Sequence, residues 1–215
     1  MNLTFLWLLR DFCGFCVDLR DHAQRSFGRR SFVLTAGLLL APALLHAQSD
    51  IHARLREAAE RNDLPGFRAL LAVGADVNAR DAQQDSAFLL AARNGHTEIV
   101  RAALAAGADL KALNRYGSTA LMGPSYRGHV ETVRLLAQTR IDIHHVNNLG
   151  WTALLEAIVL GQDGPGHEEI VRLLIAAGSD VNQADREGVT PLQHAQRRGQ
   201  AGVARLLRAA LSGAQ

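Results

Sequence analysis

Aromatic side chains make up only 5% of the 215 residues, while 48% are hydrophobic. A core must therefore be built from leucine, alanine, valine and isoleucine, which suits stacked helices. Cysteine is nearly absent. The two present, Cys13 and Cys16, lie near the start, so the rest of the chain has neither disulfides nor thiol chemistry. Their Cys-Gly-Phe-Cys spacing matches a dithiol motif but lacks the strand-helix-strand context such motifs work in. An excess of one charge is missing too: from Gln48 onward there are 18 basic and 18 acidic residues. A balanced domain argues against nucleic acid, which calls for a concentrated basic surface. No nucleophile elbow, phosphate-cradling glycine loop or paired-histidine helix occurs, so neither an active site nor a cofactor or metal site is expected. His144-His145 is the one adjacent pair of possible ligands, and consecutive residues point apart.

No apolar run reaches the roughly 20 residues needed to span a bilayer. The longest, residues 31–45, follows Arg29-Arg30 and precedes His46-Ala47-Gln48-Ser49, the basic, apolar, small-residue order of an export signal. Residues 1–47 are accordingly read as an N-terminal extension plus signal peptide. Cleavage is expected after Ala47. The bulk of Leu45 leaves open an uncleaved inner-membrane anchor facing the periplasm. Both the general secretory route and the twin-arginine route fit Arg29-Arg30-Ser31-Phe32, and the expected location is the periplasm.

What the chain has is a period. Gly95, Gly128, Gly161 and Gly199 are spaced by 33, 33 and 38 residues, and Asp76, Asp109, Asp142 and Asp180 repeat the same intervals. Two independent anchors at one spacing mark an array of supersecondary units, each of which buries its apolar face only when a neighbour stacks on it. Gly188-Val189-Thr190-Pro191-Leu192, Asn94-Gly95-His96-Thr97-Glu98-Ile99-Val100 and Ala72-Val73-Gly74-Ala75-Asp76-Val77-Asn78 resemble the ankyrin repeat over roughly residues 51–211. Residues 146–157 and the Gly-Pro-Gly insertion are similar to exported bacterial ankyrin proteins. The resemblance implies an all-α solenoid of helix-turn-helix units with short β-hairpin loops.

The repeat domain, residues 49–213, divides into unit 1 (49–80, an N-terminal cap), unit 2 (81–113), unit 3 (114–146), unit 4 (147–184) and unit 5 (185–213, a C-terminal cap). Ser86, Thr119, Thr152 and Thr190 are expected to cap the inner helices, with Phe88, Leu121, Leu154 and Leu192 at one depth of the core. His96, His129 and His167 recur at the repeat period and read as structural groups bonded to the turn. Three irregularities stand out. Gln84 occupies the place of Gly117, Gly150 and Gly188, so that tip should be distorted or differently bonded. Gly123-Pro124 should make the inner helix of unit 3 start late or bend, and Gln138-Thr139-Arg140-Ile141-Asp142 replaces the Ala-Gly-Ala-Asp ending whose glycine stops other outer helices. Residues 162–166 are five extra residues expected in an exposed loop.

The resemblance further implies a non-catalytic module that binds a protein partner through the hairpin tips and the inner-helix groove. Projected onto this sequence, those positions select Arg115, Tyr116, Tyr126, Arg127, Asn148, Trp151, Glu156 and Arg186 as the candidate site, with aromatics and arginines as anchors. A monomer is expected, with membrane contact only through the export signal or anchor. The alternative is an accessory factor protecting an envelope enzyme, for example in peroxide defence.

Overall fold

The computed structural model describes residues 50–213. The signal at 31–45, the cleavage point and both cysteines lie outside them. Helices alternate in two layers: α1 over 50–60, α2 Leu64–Ala72, α3 Ala87–Arg93, α4 Thr97–Ala105, α5 Met122–Arg127, α6 Val130–Ala137, α7 Ala153–Val159, α8 Pro165–Ala176, α9 Pro191–Arg197 and α10 Ala201–Gly213. Odd-numbered helices stack on one another as the inner layer and even-numbered ones as the outer layer, and each packs within its own unit and on the adjoining ones. The chain is thus a solenoid of helix-turn-helix units. One apolar core runs through it, from Leu55 and Phe67 past Phe88, Leu121 and Leu154 to Leu207.

Local chemistry sets the boundaries. Ser86, Thr152 and Thr190 each accept a hydrogen bond from the backbone N–H three residues on, and Thr190 with Gln193 completes a capping box. Thr119 departs from this. Its hydroxyl is buried without a partner, because α5 begins two residues late, at Met122, with Pro124 in its first turn. The expected late start is what occurs, and it costs the unit its cap. Leu192 is also a correction. It is only half-buried, whereas Phe88, Leu121 and Leu154 are at most 1% exposed, since among the described residues no further unit covers the last inner helix.

The connecting tips are turns rather than hairpins with strands, and no described residue is in a strand. In unit 4 the Asn147 N–H donates to the Trp151 carbonyl at 3.0 Å, and the next residue, Thr152, already caps α7, which leaves no length for a ladder. Asn147 Oδ1 accepts from the N–H groups of Leu149 and Trp151 at 2.9 and 3.0 Å, and Asp81, Asn114 and Asp185 do the same in their units. Tips of adjoining units are joined by the Asn148 N–H to the Tyr116 carbonyl at 3.0 Å.

Gln84 overturns the expected distortion. It takes φ +63°, and its N–H reaches the Asp81 carbonyl at 3.0 Å, as Gly117 and Gly150 reach Asn114 and Asn147 at 2.9 Å. The turn is kept at the expense of a side chain in the left-handed region, a cost of roughly 1–2 kcal/mol. Gln84→Gly is expected to raise stability by about 1 kcal/mol, read as a higher urea midpoint at unchanged slope.

Two further expectations shift. The histidines bond across units rather than to their own turns: His96 Nε2 lies 3.0 Å from the Glu60 carbonyl and His167 Nε2 3.0 Å from that of Tyr126, while His129 bonds the Arg93 backbone. Each ring ties an outer helix to the inner helix of the preceding unit. Of the five inserted residues only Gln162, Asp163 and Gly164 form a loop. Pro165 and Gly166 instead open α8, because proline is accommodated in a first helical turn. At the end of α6, Thr139 Oγ1 donates to the Leu136 carbonyl at 2.6 Å and accepts from the Ile141 N–H at 3.2 Å, which satisfies the helix end that glycine serves elsewhere.

Candidate functional site

A cavity of about 390 Å³ opens on the inner face where units 2, 3 and 4 meet. One inner-helix position that lines it carries no side chain. That position, four residues after the capping Ser or Thr, carries Leu90 in unit 2, Glu156 in unit 4 and His194 in unit 5, but Gly123 in unit 3. Glycine there lets the backbones close up: a Cβ on Gly123 would fall 3.1 Å from Arg93 Cα.

The walls mix apolar and polar side chains and the rim is basic. Tyr116, Leu149 and Leu160 are exposed by 52, 54 and 48%, unusual for large apolar residues beside one cavity. Arg115 lies 4.7 Å over the Tyr116 ring and donates to its hydroxyl at 2.7 Å, and it also bonds Gln83. Arg127 lies 5.5 Å over the Tyr126 ring and donates to that hydroxyl at 2.9 Å. On the unit 2 side Arg93 pairs with Asp85 at 3.3 Å. Burial raises the Asp85 carboxyl above its ordinary range, with Arg93 opposing the shift.

Glu156 forms the floor. Its candidacy rested on exposure along α7, and the structure corrects this: the residue is 5% exposed. Oε1 accepts from Asn147 Nδ2 at 2.7 Å and from Ser118 Oγ at 3.4 Å, so the side chain braces its own turn and that of unit 3. His194 does the same in unit 5 by reaching Asp185 at 2.7 Å. Burial pushes the Glu156 carboxyl up to about 7, against the two donors.

Of the eight residues selected from the sequence, Arg115, Tyr116, Tyr126, Arg127 and Glu156 line the cavity. Asn148, Trp151 and Arg186 do not. Asn148 donates to the Arg115 carbonyl at 3.4 Å. Trp151 is half-buried beside the turn of unit 4, and Arg186 lays its stem over Gly150, where a Cβ would sit 2.5 Å from Arg186 Cγ. Sequence reasoning missed Leu160 and Gly123 as lining residues. Leu160 had a signal: it is apolar at a repeat position that is Asn94, Arg127 and Arg198 in other units.

A helical solenoid with a basic-rimmed cavity among its inner helices, flanked by exposed Tyr116, Leu149 and Leu160, defines a repeat scaffold with a candidate recognition surface. The ankyrin-repeat family model, described as ankyrin repeats in three copies, matches residues 55–147, 125–185 and 139–215. The chain is similar to the crystal structure of an ankyrin repeat domain from Acinetobacter baumannii AYE, with 50% identity over 71% of this chain and 78% of that one and a TM-score of 0.69. No curated protein matches. The chain belongs to the ankyrin-repeat family, whose repeats are generally protein–protein interaction modules.

Proposed function

We propose that this chain is a non-catalytic protein-binding module that holds its partner in the groove of units 2 to 4. The observation that carries this is the cluster of exposed Tyr116, Leu149 and Leu160 around a cavity of about 390 Å³. Apolar surface concentrated at one concave place, rimmed by arginines stacked on tyrosines, is the composition of an interface anchor. The proposal extends to location: the Arg29-Arg30 pair and the apolar run 31–45 support export to the periplasm, with cleavage or retention as an anchor both open.

Affinity capture with crosslinking, from the periplasmic and membrane fractions separately, tests both halves. The Tyr116→Ala/Leu149→Ala variant, first shown to keep the wild-type unfolding midpoint, is expected to lose a protein that the wild type retains. Equal capture by both proteins would move the binding surface elsewhere, and recovery of the chain only in the cytoplasm would remove the export proposal.

A further inference from the structure

We infer that the cavity floor at Glu156 receives a lysine side chain of the partner, carried on a segment with acidic residues beside that lysine. This deepens the proposed groove reading and rests on it.

Among the described residues no basic side chain pairs with Glu156, although carboxylates this deeply buried are ordinarily paired. Its two oxygens differ. Oε1 is occupied by Asn147 and Ser118. Oε2 takes no hydrogen bond from a described residue, and unlike the Thr119 hydroxyl beside it, it is not sealed off from the cavity. The floor therefore offers a visitor one acceptor atom. A guanidinium is held best by two oxygens in parallel, and one of them is already taken, whereas an ammonium is a compact charge that needs only one. A lysine also brings a four-carbon stem, which suits the apolar path past Leu89, Ala120, Leu149 and Leu160.

The rim decides what flanks the lysine. The other charged or titratable groups facing the cavity are Asp85 and Arg93 from unit 2, Arg115, Tyr116, Tyr126 and Arg127 from unit 3, and none besides Glu156 from unit 4. Asp85 and Arg93 are spent on each other. Next to the cavity on the unit 5 side, His194 and Asp185 are likewise paired. Arg115 and Arg127 have tyrosine hydroxyls and Gln83 as partners but no carboxylate among the described residues. They would repel a bare lysine and attract carboxylates on either side of it, so the floor and the rim together read a basic residue within an acidic stretch.

The test uses the full chain and three acetylated, amidated peptides, Glu-Leu-Lys-Leu-Glu and its forms with norleucine or arginine in place of lysine, followed by NMR titration. At pH 8 the lysine peptide is expected to bind at least about tenfold more tightly than the norleucine and arginine forms, a difference that Glu156→Gln removes. Because burial places the Glu156 carboxyl near 7, the lysine peptide should also bind about tenfold more tightly at pH 8 than at pH 6 in the wild type only. Equal binding of the lysine and norleucine forms, or tighter binding at pH 6, overturns the inference; the second result would mark a carboxylate as the ligand. If Glu156→Gln captures the natural partner as the wild type does while Tyr116→Ala/Leu149→Ala loses it, the lysine reading fails and the groove reading stands.

Discussion

Replacing Glu156 with glutamine is expected to stabilise the folded chain at pH 8 by about 3 kcal/mol and to leave its stability at pH 4 nearly unchanged. The carboxyl lies at an ordinary 4.5 in the unfolded chain and is pushed up to about 7 when folding removes it from water. Below pH 4.5 both states hold the proton and nothing is lost. Between 4.5 and 7 the folded state keeps a proton that the unfolded state releases, so stability falls as pH rises. Above 7 both are ionised and the loss is complete. Glutamine presents an uncharged amide oxygen to Asn147 and Ser118, so the bracing of the two turns persists while the cost of the buried charge disappears. Urea unfolding of wild type and variant at pH 4, 6 and 8 checks this, and the difference between the two curves isolates Glu156 from the other titrating groups. A gap that does not widen with pH would show that the floor is better solvated than its 5% exposure indicates. A group kept at such a cost fits a floor awaiting a positive charge, and the same substitution should gain stability and lose binding.

Repetition explains what could be read from the residues and what could not. Anchors such as Gly95 and Asp76 state their roles four times over, so the period, the unit boundaries and the helix alternation were legible. At Gly95 the requirement is double: φ is +75°, and a Cβ would fall 2.5 Å from the ring of His129 in the next unit. Only the first half of that is local. The histidine bonds and the burial of Glu156 depend on what the adjoining unit presents, and a pattern read along one unit does not contain its neighbour. Gln84 shows the converse, since a turn bonded on both sides imposed φ +63° on a residue that disfavours it. The cavity was the least legible feature. It is lined from units 2, 3 and 4 at once, and no single stretch spells out that combination. Trp151 lies outside the cavity for a related reason. Aromatic character suggested an anchor, but the cavity is lined from the tip of unit 4 by Leu149 instead.

Truncating Leu154 to alanine is expected to cost about 3–5 kcal/mol, against about 1–2 kcal/mol for Leu192→Ala, although the two leucines occupy one repeat position. Leu154 is fully buried in α7, which packs between α5 and α9, so alanine would leave a cavity bounded on two sides by other inner helices. Leu192 sits in α9, with an inner-helix neighbour on one side only among the described residues and its side chain only partly buried, so less contact is lost and solvent fills the gap. In a solenoid the stability of each unit includes the interfaces it makes with both neighbours. Leu154→Ala weakens two such interfaces at once, between units 3 and 4 and between units 4 and 5. Equilibrium urea unfolding gives the comparison directly. Equal losses at the two positions would mean that the last unit is covered by something outside residues 50–213, whereas a small loss at Leu154 would mean that the middle of the array repacks freely.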